Sequence, residues 1–371
     1  MKTHLLPNSR RQPLTIVSGD GCYVSDADGR RYLDMLSGIG VNALGHNHPR
    51  ILKAIAEQAS CMHISPLYQH PYQEPVAAGL CRISGMDRAL FTNSGTESTE
   101  AALKLVRCYA RPRTHMIALQ GSFHGRSRGG LSVAGQASLR GPFEPFALPV
   151  TFVPPNDEAA LRASFHGAIA GMILEPILGE GGVLPLTASY LQLAQELCSR
   201  HDALLIADEC QCGLGRTGRY FAFQWAGIQP DIVTVAKPLA GGLPMGAVMF
   251  SEAVAERFPD GAHASTCAGG PLVCRVALEF LDELDKLLPH VAAMGELLRA
   301  GLERWGEVRG KGLMLGMPRA VPGNAVVDAA RELGLLINCT QSTVLRFLPP
   351  YVISAGQVRE GLSLLEKALI S

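Results

Sequence analysis

From about residue 88 to 250 the chain alternates short aliphatic runs with stretches in which apolar side chains recur every three or four positions. The runs at 89–92, 116–119, 171–174, 203–207 and 232–235 are four or five residues long, which suits strands buried on both faces. Helical spacing at 96–110, 157–168 and 187–201 falls between several of them. That order predicts an α/β fold with a largely parallel sheet covered by helices. Ahead of it, 14–36 reads as short strands joined by turns at Gly19-Asp20-Gly21 and Asp28-Gly29, and helical periodicity at 49–61 opens on Pro49. After about 255 the pattern is mostly helical, at 271–287 and 289–305, followed by shorter strand-like pieces and a final helix from Ala355. This stretch reads as a second domain. No internal repeat or low-complexity tract interrupts the chain.

Composition narrows the classes. At 371 residues, 47% of them hydrophobic and 18% charged, the chain can bury a large core and does not read as disordered. The 33 basic and 33 acidic side chains balance, so no global field draws the protein to nucleic acid or to an anionic membrane. A small anionic substrate must then be met by individually placed arginines. The ten cysteines are scattered without a Cys-x-x-Cys, which suits free thiols in a reducing cytoplasm. The first residues carry no continuous apolar segment, and no later run approaches a membrane span. A cytoplasmic protein is expected.

Three segments carry chemistry. In FTNSGTESTEAALKLVR (91–107) an apolar strand runs through a small-residue turn into a helix, and Ser94 with Glu97 has capping-box spacing. Free backbone N–H groups at Gly95 and Thr96, with the Thr96 hydroxyl, suit a phosphate, although a capped helix without a ligand has the same pattern. In ALLIADECQCGLGRTG (203–218) a buried strand ends in Asp208-Glu209. A carboxylate at the carboxyl end of a parallel strand lies where α/β enzymes place ligands, or simply caps a turn. In DIVTVAKPLAGGLPMGAVMF (231–250) Lys237 follows a β-branched run. Poor solvation there favours a neutral, nucleophilic amine, whereas many strand-end lysines only extend their ammonium into water. A phosphate cradle, a strand-end Asp and a Lys on the next apolar run together are what a pyridoxal-phosphate (PLP) enzyme needs.

At these residues the chain resembles the class III aminotransferases of PLP fold type I. The likeness runs from DADGRRYLDMLSGIGVNALGHNHP (26–49) to VLRFLPP (344–350), with FTNSGTESTEAALKL, GSFHGR, EPILGEGG, ADECQCGLGRTG, AKPLAGG and HASTCAGGP in the family's order. It implies a large PLP-binding domain over 46–255 with a mostly parallel, seven-stranded-type sheet. It also implies a smaller α+β domain from 256–371, joined by the N-terminal segment 1–45. Lys237 matches the lysine that holds PLP covalently, and Asp208 the partner of the pyridine nitrogen. Gly95 and Thr96 match the phosphate-binding pair, and Phe123 the aromatic residue stacked on the ring. Glu209, Cys210 and Gln211 complete the cofactor-binding stretch after Asp208, with Gln211 towards the ring hydroxyl. Ser265 and Thr266 match residues that reach across a homodimer interface, Thr266 to the partner's phosphate and Ser265 to substrate.

The resemblance also assigns two arginines, whose planar forks suit carboxylates. Arg126 matches a substrate-binding arginine, and Arg346 the one that grips the α-carboxylate of 2-oxoglutarate. Glu180 matches a switch carboxylate that neutralises Arg346 while the amino donor is bound. Cys210, Cys212, Cys267, Ala268 and Gly270 depart from the family's usual residues without removing a group the chemistry requires. His46 and His48 read as part of a packed loop, not a metal pair, and Trp225 and Trp305 as core or interface residues.

The branch nearest in NALGHNHP, SFHGRS and length acts on N2-acetyl-L-ornithine. The implied reaction moves that donor's distal amino group to 2-oxoglutarate, giving N-acetylglutamate 5-semialdehyde and glutamate in arginine biosynthesis. Ornithine, succinylornithine, 4-aminobutyrate and carrier-bound lysine remain alternative donors. Glutamate 1-semialdehyde aminomutase and a non-catalytic PLP-binding dimer are the readings outside the class.

Overall fold

The computed structural model describes residues 4–6 and 11–370. At its centre lies a seven-stranded sheet ordered Arg88–Thr92, Gly246–Phe250, Ile232–Val235, Leu204–Asp208, Ile169–Leu174, His115–Leu119 and Val150–Val153. Gly246–Phe250 pairs antiparallel with both of its neighbours, and the remaining pairs are parallel. All five strands expected from the aliphatic runs are present. Val150–Val153 and Gly246–Phe250 complete the sheet.

Period-two alternation places successive side chains in two separate cores. Leu205 and Ala207 enter the larger one, while Leu204 and Ile206 enter the other. The helix Gly95–Tyr109 covers the second with Ala101, Ala102, Leu105 and Val106. On the opposite face Ala188–Arg200 contributes Leu191, Ala194 and Leu197. The five interior strands are buried from both sides, which is why their aliphatic runs lack polar alternation.

The helices expected at 271–287 and 289–305 are one helix, Pro271–Leu302, with Pro289 inside it. A proline in a helix interior removes one hydrogen bond and crowds the preceding turn, at a cost of roughly 3 kcal/mol. The buried stripe continues through it, with Phe280, Leu281 and Leu284 before and Val291, Leu298 and Leu302 after. Burial of that stripe holds the helix together across the proline. The expected 157–168 helix is shorter, Glu158–Ser164, capped by the Asp157 side chain. The 49–61 helix is Pro49–Gln58 followed by the 3₁₀ turn Ala59–Cys61.

Among the described residues three smaller sheets accompany the central one: the short pair Ile177–Leu178 with Leu184–Pro185, and two of four strands. Ile16–Asp20, Tyr23–Asp26 and Arg31–Asp34 form an antiparallel meander, and Leu335–Leu336 joins its last strand in parallel. Arg309–Lys311, Met314–Pro318, Val344–Phe347 and Asn338–Thr340 form the other, with Arg346 on an interior strand. Trp225 is no core residue: it is 41% exposed. The cations Arg219 and Lys311 lie over its ring. His46 Nε2 sits 2.9 Å from Asp34 Oδ2, which ties its loop to the end of the strand Arg31–Asp34. Among the described residues no helix is long and apolar enough to cross a membrane.

Candidate active site

Chain segments leaving the carboxyl ends of the central strands surround a cavity of about 250 Å³. Gly95 and Thr96 open the helix that follows Arg88–Thr92, and their N–H groups belong to the first turn, which has no intrahelical acceptor. Ser94 caps this helix by accepting from Glu97 N. Glu97 Oε2 accepts from Asn93 N at 2.8 Å, one residue earlier than the capping box predicts. The Thr96 hydroxyl accepts from Ser127 N at 3.1 Å and lies 2.7 Å from Ser127 Oγ. Gly125 closes over it with φ +112°, and a Cβ there would stand 2.2 Å from Thr96 Oγ1. Only glycine fits that approach.

Asp208 ends its strand and is 3% exposed. Its Oδ2 lies 2.7 Å from His124 Nδ1, and its Oδ1 accepts from Thr234 Oγ1 at 3.0 Å and Cys210 N at 3.1 Å. Burial pushes this carboxyl up, but the hydrogen bond and charge of His124, with the Cys210 amide, outweigh it and hold it below the usual carboxylate range. An ionised carboxylate is therefore fixed at the cavity wall. His124 Nε2 is buried and finds no hydrogen-bond partner among the described residues. Lys237 lies on the wall two residues beyond Ile232–Val235.

Phe123 and Arg126 line the cavity from the segment after His115–Leu119, with the Arg126 guanidinium carbon 5.7 Å from the Phe123 ring centre. Arg126 is exposed. Cys210 and Gln211 also face the cavity. Glu209 does not line it: its carboxylate accepts from Ala222 N at 2.9 Å, Phe223 N at 2.8 Å and Cys212 Sγ at 3.3 Å. Burial pushes Glu209 up to about 7 despite those donors. Burial, with neighbouring carboxylates, also pushes the Cys210 and Cys212 thiols well up, so neither is poised as a thiolate.

Arg346, 1% exposed, reaches Glu180 Oε1 through Nη1 at 2.6 Å. The same nitrogen donates to Gln211 Oε1 at 3.1 Å, and Nε donates to Asn338 Oδ1 at 3.1 Å. Burial raises the Glu180 carboxyl, but the charge and hydrogen bond of Arg346 hold it below its ordinary value. Neither residue lines the cavity, and Gln211 connects both to its wall. Ser265 and Thr266 are also absent from the wall. Ser265 Oγ accepts from Asn93 Nδ2 at 2.8 Å, and Thr266 is exposed.

Sequence reasoning missed four wall residues, Gly125, Ala236, Glu175 and His124, of which the last two carry titratable side chains. Glu175 directly follows the strand Ile169–Leu174, the placement that marked Asp208, and is 4% exposed. Burial pushes it up to about 7, against the pull of His124 and two backbone amides. His124 sits inside GSFHGR, and nothing short of its contact with Asp208 distinguishes it.

A wall that gathers first-turn amides, an aromatic side chain, a fixed carboxylate and a lysine amine suits a phosphorylated, aromatic, carbonyl-bearing cofactor. Residues 6–369 match the family model for class-III aminotransferases, and the chain belongs to that family. It is 42% identical to the acetylornithine aminotransferase of Aquifex aeolicus, over 99% of this chain and 100% of that one. The acetylornithine aminotransferase of Mycolicibacterium smegmatis is also 42% identical, over 98% of this chain and 96% of the relative. Among solved structures, N-acetylornithine aminotransferase from Stenotrophomonas maltophilia superposes with TM-score 0.85 at 35% identity, covering 97% of this chain and 96% of that one. Ornithine aminotransferase from Toxoplasma gondii superposes with TM-score 0.94 at 32% identity, covering 99% and 92%. A further structure of the Toxoplasma enzyme is described as showing partial occupancy of PLP at the active site. Class III aminotransferases are PLP-dependent, and this chain is a PLP-dependent transaminase.

Proposed function

We propose that the chain transfers the distal amino group of N2-acetyl-L-ornithine to 2-oxoglutarate, yielding N-acetylglutamate 5-semialdehyde and glutamate as a step in arginine biosynthesis. The observation that carries this reading is the buried Arg346 closed onto Glu180 beside a wall that also holds Arg126. A donor reacting at its distal amine brings no α-carboxylate to Arg346, so Glu180 neutralises that charge. The acceptor does bring one, and it displaces Glu180 to take the fork of Arg346, while the exposed Arg126 meets the second carboxylate. Full-length relatives named acetylornithine aminotransferases, 42% identical, support the same donor.

The chemistry PLP supplies when bound is an electron sink for charge developing at the substrate carbon. Lys237 Nζ is the residue for its covalent attachment. As a free amine it would move the proton from the substrate carbon, a positioned transfer worth ~10²–10⁴ in rate. Asp208, kept ionised by His124, would hold the ring nitrogen protonated. The amides of Gly95 and Thr96 would hold the phosphate, and Phe123 would lie against the ring.

A homodimer is part of this reading. Leu67 and Tyr68 are 87% and 69% exposed, and this apolar loop adjoins the segment carrying Ser265. Pairing there brings Thr266 to the partner's phosphate site. The meander at the N-terminus, closed by Leu335–Leu336, supports a small domain shared by 1–45 and 256–371 beside a large one over 46–255. All ten cysteines are free, which supports a cytoplasmic setting.

A spectral half-reaction panel tests the donor. Acetylornithine should convert the enzyme-bound cofactor to its amino form much faster than succinylornithine or 4-aminobutyrate, and 2-oxoglutarate should restore it. Ornithine, favoured by the closeness of the Toxoplasma structure, is the rival, and a faster ornithine half-reaction overturns the proposal.

A further inference from the structure

The side chain of Glu175 spans two loops that carry different halves of the site. Its Oε1 accepts from Phe123 N at 2.8 Å and its Oε2 from Gly179 N at 3.1 Å. Phe123 belongs to the segment that leads to Arg126. Gly179 precedes Glu180, and its carbonyl accepts from Arg346 Nη1 at 3.4 Å. Apart from this carboxylate, no hydrogen bond between described residues joins the backbone of Phe123 to that of Gly179. Room for adjustment is small: a Cβ on Gly179 would lie 2.1 Å from Gln211 Oε1, so this turn packs directly on the residue that bridges Glu180 and Arg346.

We propose that Glu175 is a positioning residue that fastens the loop of Phe123 and Arg126 to the turn of Gly179 and Glu180, and so sets the spacing of the two arginines that read 2-oxoglutarate. The inference rests on the function proposed above. A carboxylate is the group this task needs, because both of its oxygens accept and both ends of the span present N–H donors. Glutamine offers one acceptor and one donor, so one of the two amides loses its partner and its loop is released. Aspartate keeps both acceptors but is one methylene short. The consequence falls on the acceptor, which bridges both arginines. A donor held without Arg346 loses less.

Holoenzyme kinetics test this with Glu175→Gln, Glu180→Gln and the double variant. Wild-type turnover with 2-oxoglutarate is measured first, and its absence refutes the proposed function before any variant is read. Given that turnover, Glu175→Gln should raise KM for 2-oxoglutarate on the order of 10–100-fold, the cost of misplacing a binding group by about an ångström. The single-turnover acetylornithine half-reaction should fall by a clearly smaller factor than KM for 2-oxoglutarate rises, a residual loss expected because Phe123 sits on the same loop. In the Glu180→Gln background the same change should cost markedly less, because the turn it holds no longer carries the carboxylate. Should Glu175→Gln fail to fold, Glu175→Asp carries the same comparison. An unchanged KM overturns the inference. So do equal losses in both half-reactions, which place Glu175 on the cofactor instead, and full additivity with Glu180→Gln, which removes the coupling.

Discussion

Arg346 Nη1 and Glu180 Oε1 are 2.6 Å apart at the junction of an interior strand and the turn after Ile177–Leu178, with the arginine almost wholly buried. Truncating one member of a buried, hydrogen-bonded charge pair in a binding site costs ~2–5 kcal/mol. Arg346→Ala should therefore lower kcat/KM for 2-oxoglutarate by about 100-fold or more while the acetylornithine half-reaction falls far less. Stopped-flow absorbance of each half-reaction measures the split.

Glu180→Gln should act in the opposite sense. With Arg346 no longer neutralised, α-carboxylate-bearing ligands gain and the distal-amine donor loses. The ratio of acetylornithine to glutamate half-reaction rates should drop by about tenfold, the scale of 1.4 kcal/mol.

Lys237→Ala should abolish borohydride trapping of PLP on the chain and reduce transamination by at least ~10²–10⁴, with the far-UV circular dichroism of the folded protein retained. Mass spectrometry of the reduced wild-type protein should place the adduct on the peptide containing residue 237.

Gly125→Ala places a methyl against Thr96 Oγ1 at a backbone angle that L side chains rarely adopt. It should weaken PLP retention, read as a lower cofactor content after dialysis, because Gly125 and Thr96 together form the end of the cavity assigned to phosphate.

Glu209 supplies a pH dependence that runs against the usual acidic pattern. Its folded value, pushed up to about 7, exceeds its unfolded value of about 4.5. Between those values the folded state holds more protons, so stability through this residue declines as pH rises from about 4.5 to about 7, by at most ~1.4 kcal/mol per pH unit. Subtracting the melting profile of Glu209→Gln from that of wild type should expose that descending limb.

Four of the five strands legible as aliphatic runs are interior to the sheet and almost wholly buried, so their sequences carry little competing polar signal. Val150–Val153 escaped because only Val153 is fully buried. Gly246–Phe250 follows a turn rich in Gly and Pro, and its run GAVMF was read only as part of the lysine motif. Pro289 misled in the other direction: local propensity argues for a break, and the buried stripe overrides it. In the site, the strand-end positions of Asp208 and Lys237 are legible only in combination with the Gly95-Thr96 turn, since each alone also fits a capped turn or a solvated lysine. Glu175 obeyed the same rule and was passed over, whereas His124 owes its place to a contact between segments 84 residues apart. Ser265 and Thr266 were assigned to a site in the partner, and a single chain holds them away from its own cavity wall.

The parallel pairing of Leu335–Leu336 with Arg31–Asp34 joins segments some 300 residues apart. During synthesis on the ribosome the opening meander must wait, one edge bare, until nine-tenths of the polypeptide has emerged. Closing so long a loop is entropically slow, and an uncovered strand edge invites pairing with other nascent chains. Truncations that remove even the last tenth of this protein should therefore damage its beginning as much as its end.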